Sequence, residues 1–209
     1  MKKLISVILC LVMVLSVAAP VLADASTYTL TISNTNTGHT YEAYQIFAGD
    51  LETIPGTNTQ VLTNIKWGAA IKGEGYDNSA AVIAAIAAEA AKTDAPASIK
   101  ALAGITDAAK LADAIADNFQ SNLSNNPDLE LLSRILEKCF VDGKYTASDN
   151  YDDGKYEMTD LPAGYYLIKD SDGSLENQEN AAARIAAPSA VASLTTGTLT
   201  GIFNTSARI

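Results

Sequence analysis

Strict alternation of apolar and polar residues marks the first predicted strand. Tyr28, Leu30 and Ile32 fall on one face of residues 28–33, and hydroxyl side chains fall on the other. Because successive side chains of a strand point to opposite faces, this pattern predicts a half-buried strand. Residues 39–47 are rich in aromatic and apolar side chains, so they predict a second strand that is covered on both faces.

Turn-forming residues bound the next elements. Gly49 and Asp50 predict the end of the second strand, and residues 54–59 predict a loop. Residues 61–68 predict a further short strand and its end, and the loose alternation over residues 194–204 predicts a last strand. The chain is therefore predicted to hold β elements near both of its ends.

A strand, a turn and another strand are predicted over residues 156–170. The segment Leu161-Pro162-Ala163-Gly164 carries the turn signal, because proline presets φ for a turn and glycine tolerates a positive φ at its end. The run from Tyr165 to Ile168 is apolar and aromatic throughout, which indicates a strand covered on both faces. We therefore predict a β-hairpin over these residues.

The spacing of apolar residues becomes helical over about residues 78–142, which predicts a helical insertion between the strands. Helix starts are predicted at residues 78–79, at Thr106, and at Asn126-Pro127. Gly143 is predicted to end the last helix. Apolar stripes usually face a core, so we interpret these helices as a layer that closes one end of the β structure. The stripes consist of Val82, Ile83 and Ile86; Leu111, Ile115 and Phe119; and Leu129, Leu132, Leu136 and Phe140.

Residues 1–23 have the three parts of a secretory signal peptide. Two lysines precede an apolar core from Leu4 to Val17, and cleavage is expected between Ala23 and Asp24. The core is shorter than the ~20 apolar residues that a membrane span needs, so we interpret it as a leader rather than an anchor.

The mature chain, residues 24–209, is expected to form a single domain, with a weakly patterned tail from about residue 175. The formal net charge is −10 and becomes −12 without the two lysines of the leader. An acidic surface repels nucleic acid and anionic membranes, so we expect neither as a partner. Only Cys139 remains after cleavage, so no disulfide can form within the chain.

The sequence predicts no catalytic site, no cofactor and no metal site. His39 is the only histidine, and Cys139 lies in an apolar helical stripe, so we interpret them as a strand-end histidine and a buried small hydrophobe. Asp149, Asp153 and Asp160 partly imitate the spacing of a calcium loop. We interpret these acids as a solvated turn, because an aspartate stands where a calcium loop has its closing glutamate.

A Leu-Pro-x-Gly-x-Tyr pattern resembles the last hairpin of B-type repeat domains in Gram-positive surface adhesins and sortase-assembled pilins. The likeness to the N-terminal domain of backbone pilins covers about residues 28–170. It implies a mainly β, α+β fold: an immunoglobulin-like or B-type adhesin-repeat-like sandwich with several short helices between strands. The residues that carry it are Leu161, Pro162, Gly164, Tyr166 and Ile168, and the blocks Tyr28–Ile32, His39–Phe47 with Gly49, and Asn64–Gly68.

The resemblance also implies an internal isopeptide bond, in which a lysine amine attacks an asparagine amide beside a buried acid. Asp170 stands at the position of the acid, and Asn204 is the candidate amide. The first strand carries no lysine, where such domains normally have one, so Lys66 and Lys169 are the candidate amines. Lys169 and Asp170 are neighbours in one strand and are expected to point to opposite faces.

The function that the resemblance implies is a structural or adhesive subunit of a Gram-positive pilus or cell-surface fimbria. Its partners would be other pilin subunits or host surface ligands. Because the sequence holds no Leu-Pro-x-Thr-Gly motif and no lysine after Lys169, we expect a first-domain-only or truncated form, with sortase as a partner of a longer form only. The alternative is a freely secreted, non-enzymatic module that binds protein or glycan, and a secreted hydrolase is a distant third. Each would be extracellular, and a longer anchored form would lie at the cell surface or wall.

Overall fold

The computed structural model describes residues 27–33, 37–53, 55–56, 60–119, 127–148, 151–170, 184–186 and 192–195. Within these residues the chain forms mixed β-sheets and helices, which confirms the predicted α+β class. The leader, the cleavage pair Ala23 and Asp24, and the candidate amide Asn204 lie outside the described residues.

Strands lie on both sides of a helical segment in the chain. The strands are β1 (Tyr28–Ser33), β2 (Tyr41–Thr53), β3 (Gln60–Trp67), β4 (Lys72–Gly73), β5 (Tyr76–Asp77), β6 (Thr146–Ala147), β7 (Lys155–Leu161), β8 (Gly164–Asp170), β9 (Arg184–Ala186) and β10 (Ala192–Thr195). The helices are α1 (Ser79–Ala90), α2 (Ala97–Lys100), α3 (Ala108–Asn118) and α4 (Pro127–Glu137). The four helices of the described residues thus fall within the predicted insertion, residues 78–142.

The larger strands divide between two sheets. The first sheet has the order β10-β1-β7, with β1 parallel to β10 and antiparallel to β7. The second has the order β3-β2-β8-β9, and β6 also pairs with β2. All pairs in the second sheet are antiparallel. Strands β4 and β5 form a separate short hairpin.

One buried cluster joins strands of the two sheets. It takes Leu30 and Ile32 from β1, and it takes Tyr41 from β2 and Tyr166 from β8. Burying these side chains removes apolar surface from water, which stabilises a folded chain by about 25 cal/mol per Å². The remaining members are Ala43, Tyr156, Met158, Leu161 and Ile168.

A second buried cluster packs the helices on the other side of β2 and β8. Tyr44, Ile46 and Phe47 of β2 belong to it, together with Leu167 of β8 and the apolar stripes of the helices. Strand β2 is therefore covered on both faces, as its dense apolar pattern predicts. The helix stripes face this core as predicted, except for Ile83, which is half-buried and outside the cluster. The helices cover a face of the second sheet, so the prediction that they close one end of the β structure is wrong.

The predicted hairpin over residues 156–170 is wrong in its pairing. Its two strands form at the expected places, but β7 pairs with β1 and β8 pairs with β2. The connection at residues 162–163 therefore carries the chain from one sheet to the other. Local turn chemistry predicts that the chain turns, whereas the buried faces of distant strands decide which strands pair.

The predicted end of β2 at Gly49 and Asp50 is also wrong, because β2 continues to Thr53. The pairing of β2 with β3 shifts between Ala48 and Asp50, and Asn64 on β3 has a φ of 50°. These features define a β-bulge, in which the strand bends without ending. A side chain at Gly49 would lie 2.5 Å from the carbonyl oxygen of Thr63, so this glycine permits close approach.

Helix ends differ from the prediction by a few residues. The cap of α3 is Asp107 rather than Thr106, and its carboxylate accepts a hydrogen bond from the backbone N–H of Lys110 at 3.0 Å. The last helix ends at Glu137 rather than at Gly143, since the chain continues as tight turns in which Cys139 N–H donates to the Leu136 carbonyl. None of the described helices has the length and apolar character that crossing a membrane requires.

Candidate functional site

The crossing between the two sheets is fixed by a tyrosine. The hydroxyl of Tyr166 donates a hydrogen bond to the carbonyl oxygen of Pro162 at 2.6 Å. Burial raises the pKa of Tyr166, so the hydroxyl keeps the proton that it donates. Leu161, at the end of β7, is buried in the cluster between the sheets. The Leu-Pro-x-Gly-x-Tyr pattern therefore anchors the crossing at both of its sides.

Gln45 holds the same crossing from β2. Its side chain is 7 % exposed. The Nε2 atom donates to the carbonyl oxygen of Ala163 at 3.0 Å, and the Oε1 atom accepts from the backbone N–H of Ala69 at 3.2 Å. Sequence reasoning missed this residue, although a single amide within a strand buried on both faces indicates that buried partners must exist.

A glycine is required at position 164 because neighbouring atoms of β2 lie too close for a side chain, and not because the backbone there has a positive φ. A side chain there would place its Cβ atom 2.4 Å from the carbonyl oxygen of Phe47 and 2.8 Å from Nε2 of Gln45. Gly164 is not among the described glycines that have a positive φ. The expected left-handed turn position is therefore wrong, and the glycine lets β8 lie against β2.

Asp170, the candidate acid, lies at the end of β8 and pairs with His39. The carboxylate Oδ2 and imidazole Nδ1 are 2.7 Å apart, and each side chain is just over one-fifth exposed. His39 lies two residues before the start of β2 at Tyr41, which confirms the prediction of a strand-end histidine. The contact joins the start of β2 to the end of β8.

Two tyrosines contact the His39 ring, and a third packs against one of them. The His39 ring stacks on Tyr41 with centroids 5.9 Å apart and meets Tyr156 edge-on at 6.3 Å. The backbone N–H of His39 donates to the Tyr156 hydroxyl at 3.3 Å. Tyr151 packs against Tyr156, with centroids 5.2 Å apart. Aromatic packing and the carboxylate together fix the orientation of the imidazole.

Lys169 lies on the opposite face of β8 from Asp170, as predicted. Its ammonium contacts the Glu137 carboxylate of α4 at 2.7 Å. The hydrogen bond to Glu137 raises the pKa of Lys169, which favours the charged amine. An isopeptide bond needs the neutral amine as nucleophile, so this environment disfavours Lys169 in that role.

Lys66, the other candidate amine, lies on β3 and is exposed. Strand β2 lies between β3 and β8, so the backbones of β3 and β8 are roughly 10 Å apart, which is twice the spacing of neighbouring strands. The structure therefore brings neither candidate lysine to Asp170, and Asn204 lies outside the described residues. The isopeptide bond stays a prediction.

The acidic segment that imitates a calcium loop forms a tight turn where it is described. Asp153 and Gly154 have φ values of 43° and 77°, and Asp152 bridges to Lys155. Two consecutive positive φ values are typical of the type I′ turn that closes hairpins. Asp160 has a φ of 57° and lies at a shift in the β1–β7 pairing. The described residues contain no group of three or more metal-binding side chains, and Asp149 lies outside them.

Cys139 is buried, which confirms the interpretation from its place in an apolar stripe. Its thiol donates to the carbonyl oxygen of Ile135 at 3.6 Å. Burial raises the pKa of Cys139, which keeps the thiol protonated. A protonated, buried thiol is a weak nucleophile and a weak metal ligand.

Three comparisons with known proteins, against family models, curated proteins and solved structures, find no match to this chain. Any assignment of function therefore depends on the residues themselves. The best-defined constellation is the sheet crossing, with Pro162, Gly164 and Tyr166 from the sequence pattern and Gln45 from β2. Its hydrogen bonds and close contacts hold a fixed structure.

Proposed function

We propose that this chain is a structural or adhesive subunit of a Gram-positive pilus or cell-surface fimbria, exported by the leader over residues 1–23. One observation carries the proposal: the Leu-Pro-x-Gly-x-Tyr pattern forms a sheet crossing that is tied by the bond from Tyr166 to Pro162. The residues that carry the resemblance thus also carry a specific structural role.

The same observation supports an immunoglobulin-like sandwich as the finer description of the fold. In such sandwiches a tyrosine near the start of a strand bonds to the backbone a few residues upstream, where the chain passes between sheets. Tyr166 and Pro162 have this relationship. The cluster that joins β1 and β7 to β2 and β8 is the core that such a sandwich needs.

A wall extract tests the pilus role directly. Antibodies against residues 24–209 would be applied to enzymatically released cell-wall proteins and to culture medium from the source organism, on a denaturing gel. A ladder of high-mass bands in the wall fraction is expected for a covalently assembled subunit. A single monomer-sized band found in the medium alone would overturn the proposal.

Intact mass of the purified mature protein tests the isopeptide bond separately. Bond formation between lysine and asparagine releases one ammonia, so the folded protein would be lighter by that mass. The deficit should vanish in Asp170→Asn and persist in Asp160→Asn, because Asp160 is an exposed acid at a strand bulge. A full mass in the unaltered protein would exclude the bond.

The alternative, a freely secreted module that binds protein or glycan, is favoured by an exposed aromatic side chain. Among the large hydrophobic residues that the structure describes, Tyr145 is the one that is exposed, with 42 % of its surface accessible. Its ring lies 5.3 Å from Tyr44, which stacks on Phe140 at 4.5 Å. Rigid tyrosine rings are common contacts at binding surfaces. A monomer in the medium, without a wall ladder, would make this the leading function.

A further inference from the structure

A groove of about 500 Å³ lies between an edge strand and a helix. Its strand side is formed by residues 65–67 of β3, and its helix side by residues 106–108 at the start of α3. Lys72 and Gly73 of β4 contribute the rest of the lining. Its size falls within the ~300–1,000 Å³ that is usual for ligand-binding sites.

The strand side of this groove lies at the edge of its sheet. In the described part of the chain, β3 ends its sheet and pairs with β2 alone. Because strand hydrogen bonds alternate in direction, every second N–H and C=O of such an edge strand points away from its neighbour. The bulge at Asn64 interrupts the earlier part of β3, so the stretch after it is the regular part of the edge.

The polar lining favours an acidic occupant. Lys66 is exposed and forms no ion pair among the described residues, although the chain carries a net charge of −10. Lys72 also lines the groove, and its ammonium lies 2.5 Å from Asp77. The one acid in the lining, Asp107, is engaged in capping α3. The exposed cation on the strand side is therefore Lys66.

We propose that this groove binds an extended, acidic peptide segment of a partner protein, which adds as a strand to β3. Main-chain hydrogen bonds to the strand edge would supply affinity, and alternate side chains would enter the groove and provide specificity. Trp67 is an apolar member of the lining, and its ring stacks on Phe47 with centroids 5.5 Å apart. The proposal is independent of the pilus role, because the result of the wall-extract experiment does not depend on whether the groove binds a peptide.

Trp67 gives this proposal a direct reporter, because it is the only tryptophan in the chain. The probe is a blocked heptapeptide of alternating valine and glutamate, titrated into the folded mature protein. A saturable change in tryptophan fluorescence is expected, with NMR amide shifts confined to residues 65–67 and 106–108. A matched peptide of valine and lysine should bind at least about tenfold more weakly, equivalent to about 1.4 kcal/mol.

Two further measurements separate strand addition from general charge attraction. Two peptides would be compared, each N-methylated on the amides of one edge. Methylation of one edge should abolish binding and methylation of the other should leave binding intact, because an added strand forms hydrogen bonds to β3 through one edge only. Lys66→Glu should weaken binding by about three- to tenfold. Lys155→Glu, the same charge change at an exposed residue of β7, should leave binding unchanged.

Several outcomes would overturn the proposal. These are no saturable signal, equal binding of the glutamate and lysine peptides, tolerance of methylation on both peptide edges, or amide shifts away from the groove. Self-association in sedimentation experiments that the peptide competes away would assign the groove to a second copy of this chain. The methylation series changes only the peptide, so it decides the question even if a protein variant fails to fold.

Discussion

The hydroxyl of Tyr166 and the carbonyl oxygen of Pro162 are 2.6 Å apart and joined by a hydrogen bond. The donor belongs to β8, and the acceptor belongs to the connection that leaves β7. This single bond therefore spans the point at which the chain passes from one sheet to the other. It links the most recognisable sequence pattern in the chain to the central feature of the fold.

Replacing Tyr166 with phenylalanine should lower the free energy of unfolding by about 1–2 kcal/mol, because the carbonyl of Pro162 loses its donor while the ring still fills its place. Urea denaturation followed by circular dichroism measures this change. Tyr145→Phe is the control, since Tyr145 is 42 % exposed, and it should change stability by less than about 0.5 kcal/mol. Equal losses in the two variants would show that the bond to Pro162 contributes nothing.

Gly164→Ala should destabilise the fold by about 3 kcal/mol, at the upper end of the usual cost of overpacking. The new Cβ atom would lie 2.4 Å from the Phe47 carbonyl oxygen, and a backbone atom of a central strand cannot easily move. Gly154→Ala is the comparison, because its φ of 77° is strained but nothing lies within 4 Å of the added atom. That variant should lose about 1 kcal/mol. The reverse order of stability would contradict the steric role of Gly164.

Gln45→Glu should destabilise the protein by more than about 2 kcal/mol at neutral pH, because a buried charge replaces the donor to Ala163. Burial would raise the folded-state pKa of the new glutamate above its unfolded value. The loss should therefore shrink as the pH falls through that folded-state pKa, since the protonated acid can donate again.

Denaturation curves measured from neutral to acid pH would show this recovery. Gln45→Leu supplies the matched comparison, because its side chain does not titrate and its penalty should be independent of pH. If the two variants follow the same pH profile, the donor to Ala163 is not what Gln45 contributes.

Asp77→Asn should remove a source of stability that depends on pH. Hydrogen bonds from Lys72 and Ser79 lower the pKa of Asp77 from 3.8 to about 2. Because the pKa of Asp77 is lower in the folded state than in the unfolded state, its carboxylate stabilises the protein at pH values above the unfolded-state pKa. This contribution is lost as the pH falls toward 2. The difference in stability between the original protein and the variant should therefore narrow between about pH 4 and pH 2.

The test is chemical denaturation at several acid pH values. A difference between Asp77→Asn and the original protein that stays constant over this pH range would contradict the proposed role of Lys72 and Ser79.

Local patterns in the sequence were sufficient to predict the elements that bury one stripe or one face. Leu111 and Ile115 of α3 and Leu132 and Leu136 of α4 all face the core that their spacing predicts. Strand β1 buries Leu30 and Ile32 as expected, whereas Tyr28, on the same predicted face, is only half-buried. These features depend on 3.6- and two-residue periods, which the sequence displays directly.

Features that depend on distant partners could not be predicted. The turn at Pro162 is visible in the sequence, yet the choice of β1 for β7 and of β2 for β8 depends on packing across more than one hundred residues. Gly49, which lies opposite the bulge of β3, looks like a strand end in the sequence because glycine occurs both at strand ends and beside bulges. No hydrophobic period indicates the role of Gln45, since that role depends on one carbonyl group, of Ala163, and one backbone N–H, of Ala69, from other segments of the chain.

The crossing at Pro162 also has a kinetic consequence for a chain made from its N-terminus. Strand β1 cannot meet its antiparallel partner until residue 161 exists, and β2 waits for β8 in the same way. The pairing of β2 with β3 and the helices that follow involve more local contacts, so they can form before β1 meets β7 and before β2 meets β8. Because contacts between residues far apart in sequence slow folding, the two sheets are expected to close late and together.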